Sequence, residues 1–115
     1  MKITTNLLKE CGAFEELTQW VADNFPDGGE HLHVLDTLDT LKHSHGYQVW
    51  LLESLQLDGV GREWHTNGQL ETEATYLFGE IDGVFRRWYD TGELRYEAFY
   101  HDGKFESVNK FERLK

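Results

Sequence analysis

The stretch Asp58-Gly-Val-Gly-Arg-Glu-Trp-His-Thr-Asn-Gly-Gln-Leu-Glu-Thr-Glu-Ala-Thr-Tyr-Leu-Phe-Gly-Glu-Ile81 is followed directly by Asp82-Gly-Val-Phe-Arg-Arg-Trp-Tyr-Asp-Thr-Gly-Glu-Leu-Arg-Tyr-Glu-Ala-Phe-Tyr-His-Asp-Gly-Lys-Phe105. The two copies, residues 58–81 (unit one) and 82–105 (unit two), are identical at eleven positions. A partial third copy begins at Glu106 and keeps Val108 and Lys110 where unit two has Val84 and Arg86. Repeats of this length are typical of architectures in which each unit is one supersecondary element that cannot bury its apolar face alone.

Alternation of residue types predicts two strands in each unit. Cross-strand partners point to the same side of a sheet, so the turn of unit one must place Trp64 opposite Leu70. A three-residue loop over residues 66–68 does this, and the same register pairs Arg62 with Thr72 and Val60 with Ala74. We therefore predict type I turns closed by a G1 bulge, with Gly68 and Gly92 at positive φ.

The N-terminal half has helical periodicity. We predict a short helix from Thr4 or Thr5 through Cys11, a second over Ala13–Phe25 and a third from about Leu35 to His45. Val49–Leu52 is predicted to be a buried strand at the start of the sheet. The predicted fold is therefore a single α+β domain over residues 1–115, in which a helical cap (1–52) covers an antiparallel β-meander of hairpins (53–115) with five or six strands.

Charge and composition exclude several classes of protein. A net charge of −10 opposes nonspecific attraction to nucleic acid or to an anionic membrane, and it fits either a basic protein partner or simply solubility. The sequence has no stretch typical of a signal peptide or a membrane span. Cys11 is the only cysteine, which rules out an intramolecular disulfide, and a cytoplasmic location is expected.

The two units differ most on the face opposite their shared apolar residues. Unit one is polar there, whereas unit two has aromatic side chains and arginines, a composition typical of interface hot spots. This face is either the surface that the helical cap covers or a surface that binds a partner. The residues predicted to bind a partner are Phe85, Arg87, Tyr89, Arg95 and Phe99.

Candidate catalytic and metal-binding residues are few. Two His-x-His pairs could supply metal ligands: His31, His33, His43 and His45. The second pair falls at a predicted helix end, where side chains two residues apart diverge, so no metal or cofactor is predicted. Glu73 and Glu97 recur because the unit recurs, and we expect them to pair with arginines rather than act as acid and base. Cys11 is expected to lie in the core, and we predict that the protein is not an enzyme.

The repeated pattern Asp-Gly-x-x-Arg-x-Trp-x-x-x-Gly-x-Leu-x-x-Glu-x-x-Tyr-x-x-Gly resembles the short MORN-repeat variant of bacterial antitoxin-type repeat proteins, over residues 58–105 and in part to 113. The N-terminal half, with Leu8-Lys-Glu-Cys-Gly-Ala13 and Gly46-Tyr-Gln-Val-Trp-Leu-Leu52, resembles a helical module of phage and prophage repeat proteins. The MORN resemblance implies a structural and interaction repeat whose shared residues form the scaffold.

We therefore expect a non-enzymatic protein-binding module of bacterial or phage origin, acting as an inhibitor, antitoxin or immunity-type protein on a toxin or nuclease complex. One alternative is a phage counter-defence protein, similar to an anti-CRISPR protein or a nucleic-acid mimic, whose acidic surface blocks a host nuclease complex. A small metal-dependent enzyme using the four histidines is another. Direct contact with nucleic acid or membrane is not expected, and a dimer formed through edge strands remains open.

Overall fold

The helices form one layer and the repeats form a sheet beside it. The computed structural model describes residues 1–42 and 45–110. In that part of the chain the elements are, in order, β1 (Lys2–Ile3), α1 (Thr5–Glu10), α2 (Glu15–Asn24), β2 (Gly29–Glu30), α3 (His31–Asp39), α4 (Tyr47–Ser54), β3 (Gly59–Trp64), β4 (Leu70–Leu77), β5 (Glu80–Trp88), β6 (Leu94–His101) and β7 (Lys104–Lys110). The predicted α+β class is confirmed.

The first two helices form where the sequence predicts them. The side chain of Thr4 accepts a hydrogen bond from Leu7 N at 3.1 Å and caps α1, and Gly12 follows the helix with φ +74°. Helix α2 lies inside the predicted range, with Glu15 and Glu16 in its first turn, where the helix dipole favours carboxylates. Capping and apolar periodicity are local properties, so both helices were predictable.

The predictions for the next two elements were wrong. Helix α3 begins at His31 and ends at Asp39, instead of running from Leu35 to His45; residues 43 and 44 lie outside the described part. The predicted strand Val49–Leu52 belongs to helix α4. Leu51 and Leu52 are fully buried, and their neighbours pack on the same core. Because α4 is apolar on several sides, its sequence does not show the one-sided pattern of a surface helix.

The main sheet is an antiparallel meander in the order β3-β4-β5-β6-β7, as predicted. It begins at Gly59 rather than at Val49. The two-residue strands β1 and β2 form a separate antiparallel pair that the sequence did not predict. This pair joins the N-terminus to the chain just before α3.

Both hairpin turns have the predicted geometry. In unit one, His65 N donates to Gln69 O at 2.8 Å and Gly68 N donates to His65 O at 2.9 Å. The corresponding bonds of unit two are 2.9 Å and 3.0 Å, and the glycines Gly68 and Gly92 have φ +85° and +92°. These are three-residue loops with a type I turn and a G1 bulge, so the turn prediction is confirmed.

A second bulge in each hairpin corrects the predicted strand register. Trp64 pairs with Leu70 as predicted, but Glu71 is an extra residue, so Arg62 pairs with Glu73 and Val60 with Thr75. Arg95 is the corresponding extra residue of unit two. One extra residue moves all that follows to the other side of the strand. Ala74 and Tyr76 therefore point to the opposite face from Trp64 and Leu70.

We call the sheet face that carries Gly61, Ala74 and Phe85 the helix-side face, and the face that carries Arg62 and Glu73 the outer face. The helices pack on the first of these. A Cβ atom added to Gly61 would lie 3.1 Å from Leu52 Cδ1 and 3.6 Å from Val49 Cγ2, both in α4. The missing side chain of this glycine lets α4 approach the sheet closely.

The core between the two layers consists mostly of leucine and valine. Its buried members are Ile3, Leu8, Leu17, Val21, Val34, Leu35, Leu38, Leu51, Leu52, Leu57, Ala74 and Tyr76. A fully buried aliphatic side chain contributes about 1.5–3 kcal/mol by leaving water, so this cluster is the main source of stability. All members from the sheet belong to unit one.

Candidate functional site

The structure brings together four of the five residues predicted to bind a partner. Phe85 and Arg87 lie on the helix-side face of β5, where they pair with Ala98 and Tyr96 of β6. Arg95 is the bulge residue at the start of β6, and its guanidinium carbon lies 5.7 Å from the centre of the Tyr89 ring. This is a cation–π distance.

Phe99, the fifth predicted residue, lies on the other face. It pairs with Val84 in β5 and with Ser107 in β7. Because Phe99 is two residues from Glu97, it lies with Glu97 and Arg86 on the outer face. The prediction assumed one parity along the whole of β6. The extra residue Arg95 exchanges the two faces for the rest of β6, so placing Phe99 with the other four residues was wrong.

A shallow depression of about 350 Å³ lies on the helix-side face of unit two, lined by Phe85, Arg87, Arg95, Tyr96 and Tyr100. The ring centres of Phe85 and Tyr96 are 6.1 Å apart, and those of Phe85 and Tyr100 are 5.9 Å apart. Phe105 of β7 continues the series, 5.8 Å from Tyr100. These separations are typical of favourable aromatic pairs. We call these six residues the aromatic–arginine surface.

Tyr96, Tyr100 and Phe105 were missed as members of this surface. The sequence prediction did not include the bulge at Arg95. It therefore assigned Tyr96 and Tyr100 to the face of the shared apolar residues, whereas the structure places them on the helix-side face. One sequence signal could have corrected this. Arg86 and Glu97 both recur in the repeat, and pairing their opposite charges across the strands requires the register that the bulge creates.

The helices leave most of the aromatic–arginine surface uncovered. Within the described residues, the side chains that pack on the helical core include Ile81, the last residue of unit one, and in unit two extend only to Phe85. Phe105 is 53% exposed. The sequence left open whether the helical cap or a partner covers this face. The helical cap packs only on its border at Phe85 and does not cover the other rings.

The charges of this surface differ from those of the rest of the repeats. In the described part of the chain, no carboxylate lies within ion-pair distance of Arg87 or Arg95. Both side chains are exposed beside aromatic rings. The result is a small positive region on a protein whose net charge is −10.

The arginines of the outer face, by contrast, are paired in a row that crosses four strands. Arg62 Nε donates to Glu73 Oε2 at 2.8 Å, and Arg86 Nε donates to Glu97 Oε2 at 2.6 Å. Arg86 also lies 3.7 Å from Glu73, which joins the two pairs. The predicted pairing of Glu73 and Glu97 with arginines is confirmed.

Helix α3 extends this row at the β3 edge of the sheet. Arg62 Nη1 donates to Asp39 Oδ2 at 2.6 Å, and Gln48 Oε1 accepts from the Arg62 backbone N–H at 2.9 Å. Partial burial lowers the pKa of Arg62, but the carboxylates of Glu73 and Asp39 more than offset this, so its pKa is raised. The guanidinium therefore stays charged. The backbone N–H of Arg62, on the edge strand β3, is already hydrogen-bonded to Gln48.

The histidines considered as metal ligands make separate structural contacts. His31 Nε2 lies 3.0 Å from Asp58 O, and its Nδ1 lies 3.1 Å from the N-terminal amine. His33 packs edge-on against Phe25, and His45 stacks on Tyr47. His43 lies outside the described residues. Because His31 and His33 lie in helix α3, their rings do not point to one side as they would in a strand.

One other group of side chains could share a cation among the described residues, namely Asp82, His101 and Asp102. Asp82 Oδ2 already accepts a hydrogen bond from Asp102 N at 3.3 Å. In unit one the equivalent Asp58 accepts from Phe78 N at 2.8 Å, although Leu77 stands at the position equivalent to His101. The repeated aspartate therefore has a structural role, which is to hold the turn after the second strand of its unit.

Cys11 is exposed at the end of α1, so its predicted place in the core was wrong. The residue lies beyond the last helical turn, where the chain leaves the layer. No helix in the described part of the chain has the length and hydrophobicity needed to cross a membrane.

The repeats match a known family. Residues 57–77 and 81–102 each match the family described as the MORN repeat variant, and together they cover less than half of the chain. Comparisons with curated proteins and with solved structures found no significant match. MORN repeats are generally modules that bind proteins or membranes, which is compatible with a non-enzymatic binding role. The two 24-residue units of this chain therefore contain MORN repeat variants, and the helices precede them.

Proposed function

We propose that this protein is a non-catalytic protein-binding module and that its aromatic–arginine surface contacts the partner. The uncovered aromatic face carries this proposal. Phe85, Tyr96, Tyr100 and Phe105 form a continuous series of rings beside two arginines that have no ion pair in the described structure. Rings and arginines are the residues that most often supply binding energy at protein interfaces.

The charges of the molecule support a protein partner over a membrane or a nucleic acid. A net charge of −10 repels anionic lipid and phosphate at long range. The recurrent carboxylates Glu73 and Glu97 are held by arginines in the row on the outer face, which supports a structural rather than a catalytic role for them.

The finer proposal is that binding inhibits the partner, as in an antitoxin or immunity-type protein of bacterial or phage origin. The repeated sequence pattern of residues 58–105, which resembles the repeats of bacterial antitoxin-type proteins, favours it. A toxin or a nuclease complex would then be the target. Binding across several strands of the sheet would cover part of the surface of the target, and this alone could inhibit the target without a chemical reaction.

A matched pair of variants tests the proposal. Phe105→Ser combined with Arg87→Ala removes two exposed parts of the aromatic–arginine surface. Phe78→Ser combined with Lys104→Ala makes the same types of change elsewhere, at a turn residue that is 72% exposed and at an exposed lysine. We expect the first variant to lose the partner captured by the wild-type protein from lysate of the source cell, and the second to retain it.

Two results would contradict the proposal. One is equal capture of the partner by both double variants, with circular dichroism showing that both are folded. The other is sedimentation of the wild-type protein with vesicles that contain phosphatidylglycerol, in a manner lost on Phe105→Ser, because that would make the surface a membrane-binding one.

The acidic helical layer supports a second candidate function, a counter-defence protein whose carboxylates imitate nucleic acid and block a host nuclease complex. Helix α2 and its flanks expose Glu15, Glu16, Asp23 and Asp27. A mimic of nucleic acid should lose its target steeply as salt is raised from 50 to 200 mM (roughly the range over which phosphate contacts weaken). Binding through the aromatic–arginine surface should weaken far less over the same range.

A further inference from the structure

We propose that the aromatic–arginine surface binds a single amphipathic α-helix of the partner, with apolar residues along its length and carboxylates at one end. This inference rests on the proposed function and specifies the chemistry of the partner. It differs from what the net charge suggests, because −10 for the whole chain favours a basic partner, whereas the exposed charges on this surface are positive.

The width of the uncovered face fits one helix. Neighbouring strands in a sheet are about 4.8 Å apart, so β5, β6 and β7 span roughly 10 Å from the first strand to the last. An α-helix with its side chains is about 10–12 Å across. The molecule already contains such packing, since α4 covers the adjacent part of the same face at Gly61. A partner helix would therefore extend the existing helical layer over unit two.

The rings of the surface close over a small, fully buried residue, Ala98. Ala98 lies at the centre of β6, between Phe85 of β5 and Val108 of β7 in the register of the sheet. Tyr96 lies on one side of Ala98 along the strand, and Tyr100 lies on the other. The three rings around Ala98, with the two arginines, line the shallow depression of about 350 Å³, which can receive the apolar side chains of a helix.

The two arginines set the polarity of the helix. Arg87 and Arg95 lie at the end of β5 and the start of β6, next to the hairpin turn, whereas Tyr100 and Phe105 lie toward the opposite end. Carboxylates on the bound helix should therefore face the turn end of the surface. Guanidinium groups beside aromatic rings form strong hydrogen bonds with carboxylates.

Two synthetic helical peptides test this inference without knowledge of the natural partner. Both are about 18 residues long, roughly five turns, with one stripe of leucine and phenylalanine. One peptide carries three glutamates beside the stripe at one end, and the other carries three lysines there. Fluorescence anisotropy measures the affinity of each for the whole protein. We expect the glutamate peptide to bind about tenfold more tightly than the lysine peptide.

Charge-reversal variants connect this preference to the arginines. Arg87→Glu and Arg95→Glu should each reduce or invert the preference for the glutamate peptide. Lys104→Glu changes the net charge by the same amount at an exposed position that pairs with His101, on the face of β7 opposite to that of its neighbour Phe105. It should keep the wild-type preference. A mere effect of net charge would move all three variants equally and would overturn the inference.

Further outcomes separate this inference from the proposed function. If neither peptide binds, but Phe105→Ser combined with Arg87→Ala still abolishes capture of the natural partner, the helical acidic ligand is wrong and the protein-binding surface stands. If that double variant captures the partner as the wild type does, the proposed function fails as well. A dimer seen by analytical ultracentrifugation and abolished by Phe105→Ser would make a second copy the occupant, and would also overturn the inference.

Discussion

Unit one has Gly61 where unit two has Phe85, and the helical layer packs on unit one. At Gly61, α4 comes so close to the sheet that an added Cβ would lie 3.1 Å from Leu52 Cδ1. At Phe85 the ring itself occupies the corresponding space and packs on the border of the helical core. The same backbone therefore supports a buried face in one unit and a partly exposed aromatic face in the other.

This comparison separates two kinds of residue in a repeat protein. Shared residues maintain the fold in both units: the aspartates hold turns, the turn glycines have positive φ, and arginine–glutamate pairs cross the outer face. Residues that differ decide what each unit contacts. For a chain with few repeats, the differences between copies are therefore the place to look for binding.

The largest expected effect comes from giving unit one the residue of unit two. Gly61→Phe should destabilise the protein by about 3 kcal/mol, because the ring has no space beneath α4 and must displace Leu52. Urea unfolding followed by circular dichroism measures the change. Val60→Phe serves as the control on the opposite face of the same strand and should cost about 1 kcal/mol or less. Equal losses in the two variants would contradict the role assigned to Gly61.

A smaller effect is expected where the units agree. Gly68→Val and Gly92→Val should each destabilise by about 2 kcal/mol, because a β-branched residue is strained at φ +85° or +92°. Nothing lies within 4 Å of the Cβ position at Gly68, so the loss there would come from the backbone alone. Thermal unfolding measures both variants, with Thr91→Val in the same turn as the control. Unchanged melting temperatures in both glycine variants would refute the turn geometry.

The third effect appears only at alkaline pH and concerns Tyr76 of unit one. Burial, together with the carboxylate of Glu53, raises the pKa of Tyr76 to about 12. The folded state therefore keeps this proton when the unfolded chain, with a tyrosine pKa of about 10, has lost it. The resulting stability is fully present below pH 10 and is lost as pH rises toward 12.

At pH 11 this loss amounts to about 1.4 kcal/mol. Tyr76→Phe should remove it, so the difference in unfolding free energy between the variant and the wild type should change by that amount between pH 9 and pH 11 (a window of roughly two units around the unfolded pKa). Tyr100→Phe is the matched change in unit two. The assignment fails if Tyr76→Phe and the wild type lose stability in parallel over this range.

Local features of the chain were predictable to different degrees. The three-residue turns were predicted because Trp64 and Leu70 must point to the same side of the sheet, and the structure confirms them. The bulges at Glu71 and Arg95 were missed, because the alternation of apolar residues does not reveal an extra residue and the recurrent arginine–glutamate pairs were not used to set the register. Helix α4 was taken for a strand for a related reason: an element that is apolar on several sides shows no periodicity to identify it.

The sequence predicted that the candidate surface contains aromatic residues and arginines, but it did not predict all of the residues that form it. Comparing the two copies identified Phe85, Arg87 and Arg95 as unusual, and the structure brings them together. Tyr96 and Tyr100 replace Phe99 in that group, since the register decides which side of a strand each residue occupies. A single shift of register exchanges the two faces, so composition alone could not resolve them.

The sequence by itself determined the repeat, its hairpin turns and the sequential order of the strands, because each of these depends on residues close together in the chain. Only the tertiary structure decided which unit the helices cover, since that depends on whether a distant helix fits against Gly61 or against Phe85. It also decided that Arg62 and Arg86 are paired while Arg87 and Arg95 are exposed beside the rings. Pairing across strands and docking of helices join residues far apart in the chain, and spacing along a sequence does not encode those distances.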